Sequence, residues 1–120
     1  MAEDKNDKCK SSELIPIEHL REGAERLKCV AHPHRLRIIE ILLNGEYTVG
    51  EIAEMCKLPQ SVTSDHLRLM HGKKLLTSER RDRYVYYALA DTKLKVLLDF
   101  VESLYPKRCS PDCVNAERNI

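Results

Sequence analysis

The stretch "TVGEIAEMCKLPQSVTSDHLRLM", residues 48 to 70, constrains the chain more than any other, because it holds two helical patterns with only a Lys-Leu-Pro break between them. In the first, Thr48 is an N-cap, Glu51 three residues later completes a capping box, and Val49, Ile52 and Ala53 face inward. Leu58 is the break, and Pro59 takes the first position of the next helix, where its missing N–H costs nothing. Two helices joined by so tight a turn form helix-turn-helix geometry, which offers the second helix to an outside partner. On that helix Val62, His66, Leu69 and Met70 fall within one arc and are read as inward, leaving Gln60, Ser61, Ser64, Arg68 and His71 on the opposite side.

The same helix is rich in short hydroxyl donors, Ser61, Thr63 and Ser64. Ser and Thr are weaker helix formers than Lys, Glu or Ala because they compete for backbone hydrogen bonds, so a merely solvated face is better served by the latter. Short side chains permit close approach to a base edge. Gln60 can make paired hydrogen bonds to adenine, Arg68 can reach guanine or a phosphate, and the serines serve either. The uncapped amides after Leu58 would also suit a phosphate oxygen.

After Gly72-Lys73-Lys74 the period switches to two, and "LLTSERRDRYVYYAL" reads as strands Leu75–Arg80 and Tyr84–Leu89 around a tip at Arg81-Asp82-Arg83. A basic-tipped hairpin directly after a recognition helix is a wing, whose Arg80, Arg81 and Arg83 can follow the backbone or enter a narrow minor groove. Earlier, Leu20, Ala24, Leu27 and Ala31 give a first helix ending before Pro33, and Leu36, Ile39, Leu42 and Leu43 a second that stops at Asn44-Gly45. Leu94, Leu97, Leu98, Val101 and Leu104 make a last helix from about Asp91 to Tyr105. The expected fold is mainly α with a small β-hairpin: five helices and a two-stranded wing over residues 13–105. A disordered arm (1–12) precedes it and a flexible, cysteine-containing tail (106–120) follows.

A net charge of +1 over 120 residues does not by itself point to nucleic acid. Between Lys57 and Arg83, however, seven basic residues face three acidic ones, and attraction to phosphate depends on that local field. With 42% hydrophobic and 32% charged residues, no apolar run near membrane-spanning length and no signal peptide, the expectation is a cytoplasmic protein of one domain. The five cysteines, at 9, 29, 56, 109 and 113, then read as thiols for metal or redox chemistry, or as small buried residues.

From Leu27 to Leu89 the wording "LKCVAHPHRLRIIEILLNGEYTVGEIAEMCKLPQSVTSDHLRLM", followed by "VYYAL", resembles the ArsR/SmtB family of metal-responsive winged helix-turn-helix repressors in several independent blocks. The resemblance implies a homodimer held by the first and last helices, a two-fold pair of recognition helices on double-stranded DNA at an imperfect inverted repeat, and release when an effector binds. The apolar stripes of the first and last helices need partners on independent grounds, since a helix-wing core of roughly 70 residues is small.

The effector is where the pattern departs. Thr48 and Gly50 stand where family members sensing soft metals on the third helix carry a Cys-x-Cys motif. Asp91-Thr92-Lys93 stands in place of Asp-x-His on the last helix, and no histidine follows His71, which argues against imidazole-based zinc sensing at that interface. Sulfur remains. Cys9, Cys109 and Cys113 would suit a trigonal or tetrahedral soft ion, As(III), Cd(II), Pb(II), Zn(II) or Cu(I), with no cofactor required otherwise. The Cys109/Cys113 pair can equally oxidise or capture a persulfide, and a repressor without a metal effector stays open. His66 reads as a satisfied core histidine, His32 and His34 as structural or exposed, Cys56 as buried, and Cys29 as facing a partner or solvent.

No catalytic residue is assigned. There is no Cys-x-x-Cys before a helix, no nucleophile with a base nearby in sequence, and no glycine-rich phosphate loop among four glycines. The rivals to a repressor are a thiol enzyme or metal-trafficking module, and an adaptor that has kept the fold without DNA contact.

Overall fold

Two of the helices, those starting at Pro33 and Val49, begin at side-chain caps that the sequence supplies. The computed structural model describes residues 13–105. In it α1 (Ile17–Val30) ends ahead of the His32-Pro33 junction, and α2 (Pro33–Leu42) starts with His32 as N-cap, its imidazole accepting a hydrogen bond from the His34 amide. Thr48 closes the short strand β1 (Tyr47–Thr48) and caps α3 (Val49–Cys56), with both arms of the capping box formed. Lys57 then adopts a left-handed conformation, φ +59°, which turns the chain into α4 (Gln60–Gly72). Pro59 is the N-cap of α4 and not its first residue, so the helix starts at Gln60, one position later than expected.

Strands β2 (Leu76–Arg81) and β3 (Tyr84–Leu89) form the hairpin, joined at Asp82 (φ +57°), a residue type that tolerates such a turn. The sheet has three strands where two were expected, in antiparallel order β1-β3-β2, with Thr48 opposite Tyr86. Two residues are too few to show a period, so β1 left no mark in the sequence. Its effect is to fasten the start of α3 to the middle strand of the wing. After Asp91, whose carboxylate caps a 3-10 turn at Thr92–Leu94, α5 (Lys95–Ser103) completes the described residues.

The core lies beneath α4. Ile38, Ile39, Ile52, Leu67 and Met70 are fully buried, joined by Val30, Leu42, Leu75 and Leu76. At roughly 1.5–3 kcal/mol for each large apolar side chain, these residues fix α4 firmly against α2 and α3. Cys29 belongs to this core at 5% exposure, which corrects the reading that it faces outward. The stripe used to orient α1 is itself uncovered, with Leu20 and Leu27 about half exposed, so the buried side is the one opposite. Cys56, expected to be buried, is half-buried against the core, and burial pushes its thiol above the ordinary value, opposed by the nearby Arg37 charge.

Candidate nucleic-acid interface

Helix α4 is rotated from the expected orientation. Its buried row is Thr63, Leu67 and Met70, whereas Val62 and Leu69 are 38% and 43% exposed and His66 is half-buried. Thr63 therefore drops out of the set of DNA contacts. It is fully buried, and its hydroxyl donates to the Pro59 carbonyl at 3.1 Å, which removes the cost of burying it. His66 is satisfied, as expected, though by a partner no spacing rule announces: its Nδ1 accepts from Arg35 Nε at 3.1 Å, while Arg35 Nη1 donates to the Cys29 carbonyl at 3.0 Å. Burial, and then the Arg35, His32 and His34 charges, hold the His66 imidazole below its ordinary value against the opposing Asp65.

The polar row of α4 is presented to solvent. Gln60, Ser61, Arg68 and His71 are exposed and Ser64 half-buried. Pro59 supplies no side-chain cap, and the first helical bond runs from the Thr63 amide to the Pro59 carbonyl, so the preceding amides point out of the helix end. Arg68 lies along the helix, donating to Asp65 Oδ1 at 2.9 Å and Ser64 Oγ at 3.3 Å. Both charges of that pair are largely exposed, so releasing Arg68 to an outside acceptor costs about 0–1 kcal/mol.

The wing closes on both ends of α4. At the far end, Ser78 Oγ lies 3.4 Å from His71 Nε2 and Tyr87 meets the His71 ring edge-on. Cross-strand partners share a face, so Arg80, opposite Val85, lies on the same side as Ser78 and Tyr87, toward the helix. At the near end, Arg83 and Tyr84 line an open groove together with Gln60 and Thr48, Val49 and Gly50 of the α3 start. Arg81 is on the other face and engaged: it pairs with Glu46 and Glu79 and stacks 4.4 Å over the Tyr86 ring, the hydrogen bond to Glu46 holding its pKa up. Arg80 and Arg83 form no ion pair among the described residues. Cys9, Cys109 and Cys113 lie outside the described residues.

Residues 32–78 match the model of the bacterial regulatory protein, arsR family. The chain is 35% identical over 86 residues to the transcriptional repressor PagR of Bacillus anthracis, covering 71% of this chain and 86% of that protein. The chain belongs to the ArsR family. It is also 33% identical over 79 residues to the transcriptional activator HlyU of Vibrio cholerae, covering 66% of this chain and 73% of that one. Among solved structures, the homodimeric winged helix-turn-helix DNA-binding domain Mb0332 of Mycobacterium bovis, a possible ArsR-family regulator, superposes with a TM-score of 0.67 at 25% identity, over 78% of this chain and 92% of that one. ArsR-family repressors bind DNA and act as homodimers, and these relatives are regulators of transcription, not enzymes. Within the family frame α3 and α4 are the helix-turn-helix, α4 its recognition helix, and β2 and β3 the wing. No helix among the described residues is long and apolar enough to cross a membrane.

Proposed function

We propose that this ArsR-family protein is a cytoplasmic, dimeric repressor that sets its two α4 helices into successive major grooves of an imperfect inverted repeat. Gln60, Ser61, Ser64 and Arg68 read base edges and adjoining phosphates, His71 and Arg80 follow the backbone beside the far end of the helix, and Arg83 contacts the strand at the near end. The observation that carries this reading is the solvent-facing row Gln60, Ser64, Arg68 and His71 on a helix whose Thr63, Leu67 and Met70 are locked into the core. A helix held that firmly offers its polar side chains at low entropic cost. The exposed apolar residues of α1 and α5 support the dimer.

Release is assigned to a thiophilic effector captured by Cys9, Cys109 and Cys113. The chemistry of three thiolates favours As(III), Cd(II), Pb(II), Zn(II) or Cu(I), and thiol oxidation or persulfide capture at the same cysteines is the second reading. An effector must bind the DNA-incompetent state more tightly, or it shifts nothing.

The test is fluorescence anisotropy of the reduced protein on its own upstream DNA. Gln60→Ala, Ser64→Ala and Arg68→Ala together should abolish specific binding in a protein that stays folded and dimeric, each good base contact being worth about 1–3 kcal/mol. Unchanged affinity in that triple variant rejects the interface. Adding As(III), Cd(II) or a persulfide donor should weaken binding in the parent and not when Cys109 and Cys113 are serine.

A further inference from the structure

His32 and His34, two positions apart at the start of α2, meet His66 of α4 from more than 30 positions away. His32 caps α2, His34 stands in its first turn and His66 lies midway along α4, and their ring centroids are 4.8 Å (His32–His66), 5.6 Å (His32–His34) and 6.1 Å (His34–His66) apart. One ring nitrogen from each lies within 4.8 Å of the other two. We propose that His32, His34 and His66 form a site for a borderline divalent transition ion of the Zn(II), Ni(II) or Cu(II) class, and that filling it replaces the Arg35–His66 hydrogen bond with coordinate bonds and so resets the seating of the recognition helix.

The donor set selects the ion. Imidazole nitrogens suit Zn(II), Ni(II) and Cu(II) and are poor ligands for Mg(II) or Ca(II), which take oxygen. Around a tetrahedral ion with bonds of about 2.0–2.1 Å, the nitrogens must close to roughly 3.3 Å from one another, so the rings must draw together from separations of up to 4.8 Å. A fourth position stays open for water or a further ligand.

Hydrogen bonding supplies the consequence. His32 Nδ1 accepts from the His34 amide and His66 Nδ1 from Arg35 Nε, both at 3.1 Å. A neutral imidazole has one proton and one lone pair on its ring nitrogens. An ion at Nδ1 takes the lone pair that accepts the bond. An ion at Nε2 forces the proton onto Nδ1, where it meets another donor. Either way the ion and these two hydrogen bonds exclude one another. Loss of the first uncaps α2. Loss of the second frees Arg35, still held at the Cys29 carbonyl, from α4. Ion capture and the seating of α4 are thus linked, and by reciprocity DNA bound to α4 changes the affinity for the ion by the same factor that the ion changes the affinity for DNA. The site itself rests only on the histidines; its effect on DNA rests on the interface proposed above.

The experiment uses the full chain with Cys9, Cys109 and Cys113 replaced by serine, titrated with Zn(II) against a chromophoric chelator, with Mg(II) as control, while imidazole nitrogen shifts are followed by NMR. One Zn(II) per protomer is expected, with shifts at all three histidines and no response to Mg(II). His34→Ala, which leaves the His32 N-cap and the Arg35–His66 bond in place, should weaken Zn(II) at least about tenfold with an unchanged circular dichroism spectrum. Arg35→Lys, which removes the competing Nε donor and keeps the charge, should tighten it. Absence of stoichiometric Zn(II), or binding indifferent to His34→Ala, overturns the site. Zn(II) bound with operator affinity unchanged overturns the linkage to DNA binding. A protein that binds Zn(II) through these histidines but never binds operator leaves the site standing and rejects the DNA reading instead.

Discussion

Two apolar zones of this molecule look alike in sequence and differ in fate. Beneath α4, Ile38, Ile39, Ile52, Leu67 and Met70 are completely enclosed. On the outer side of α1 and α5, Leu20, Leu27, Val96, Phe100 and Leu104 are 48–63% exposed. Helix α5 buries no residue fully, and α1 only Cys29 and Val30 at its end. Leu94, Leu97 and Leu98 occupy the inner side of the last helix and pack on the core, which leaves Val96 and Phe100 pointing away from it. Apolar periodicity reports that a face wants cover. It does not say whether the cover comes from the same chain or from a second copy.

The largest expected effect tests whether the inner zone alone carries the protomer. Ile52→Ala opens a cavity in the fully enclosed zone and should cost about 2–5 kcal/mol in chemical denaturation. A cost near zero would mean that the zone under α4 is loosely packed, and the contrast between the two zones would collapse.

The outer zone is broken differently. Leu27→Glu with Phe100→Glu adds charge where both side chains already meet solvent in the single chain, so the circular dichroism spectrum should be retained while sedimentation shifts to the monomer. Operator affinity should then fall about 10²-fold or more, since the second recognition helix no longer binds as part of the same molecule. A variant that stays dimeric places the dimer contact elsewhere.

The same distinction explains what could be read in advance. Helix boundaries were legible wherever a local signal acts over three or four residues: Pro33, the Thr48/Glu51 box, Asn44-Gly45 and the Leu58-Pro59 break all act on the neighbouring backbone. Which side of a helix is buried was legible only where one apolar row exists. On α1 the row belongs to the outer zone, so Cys29 was placed outside when it is inside. On α4 the polarity of Thr63 hid its burial, because its hydroxyl is satisfied by the helix itself. Contacts across the fold left no sequence trace at all. His66 and Arg35 are separated by 31 positions, and nothing in their spacing announces the bond between them. Of the interface, the row Gln60, Ser64, Arg68 and His71 was legible from helical period, whereas the engagement of Arg81 with Glu46 depends on β1, which is too short to read.

The smallest effect sharpens the comparison at neighbouring residues, Val62 and Thr63, where the polar side chain is inside and the apolar one outside. Thr63→Val keeps the shape and removes one hydroxyl donor. The Pro59 carbonyl still accepts the residue-63 amide, at 3.1 Å in the parent, so no buried group is orphaned, and the loss should be about 0.5–1.5 kcal/mol. Val62→Thr, at a partly exposed position, should change stability by no more than about 0.5 kcal/mol. On operator DNA the folded Thr63→Val protein should bind like the parent, while Arg68→Ala, which gives up only a solvent-exposed pair within the protein, should weaken binding by about 1–3 kcal/mol. If Thr63→Val weakened operator binding as much as Arg68→Ala does, residue 63 would have to reach the DNA. The rotation that puts Thr63 in the inner zone, and the interface built on it, would then both be wrong.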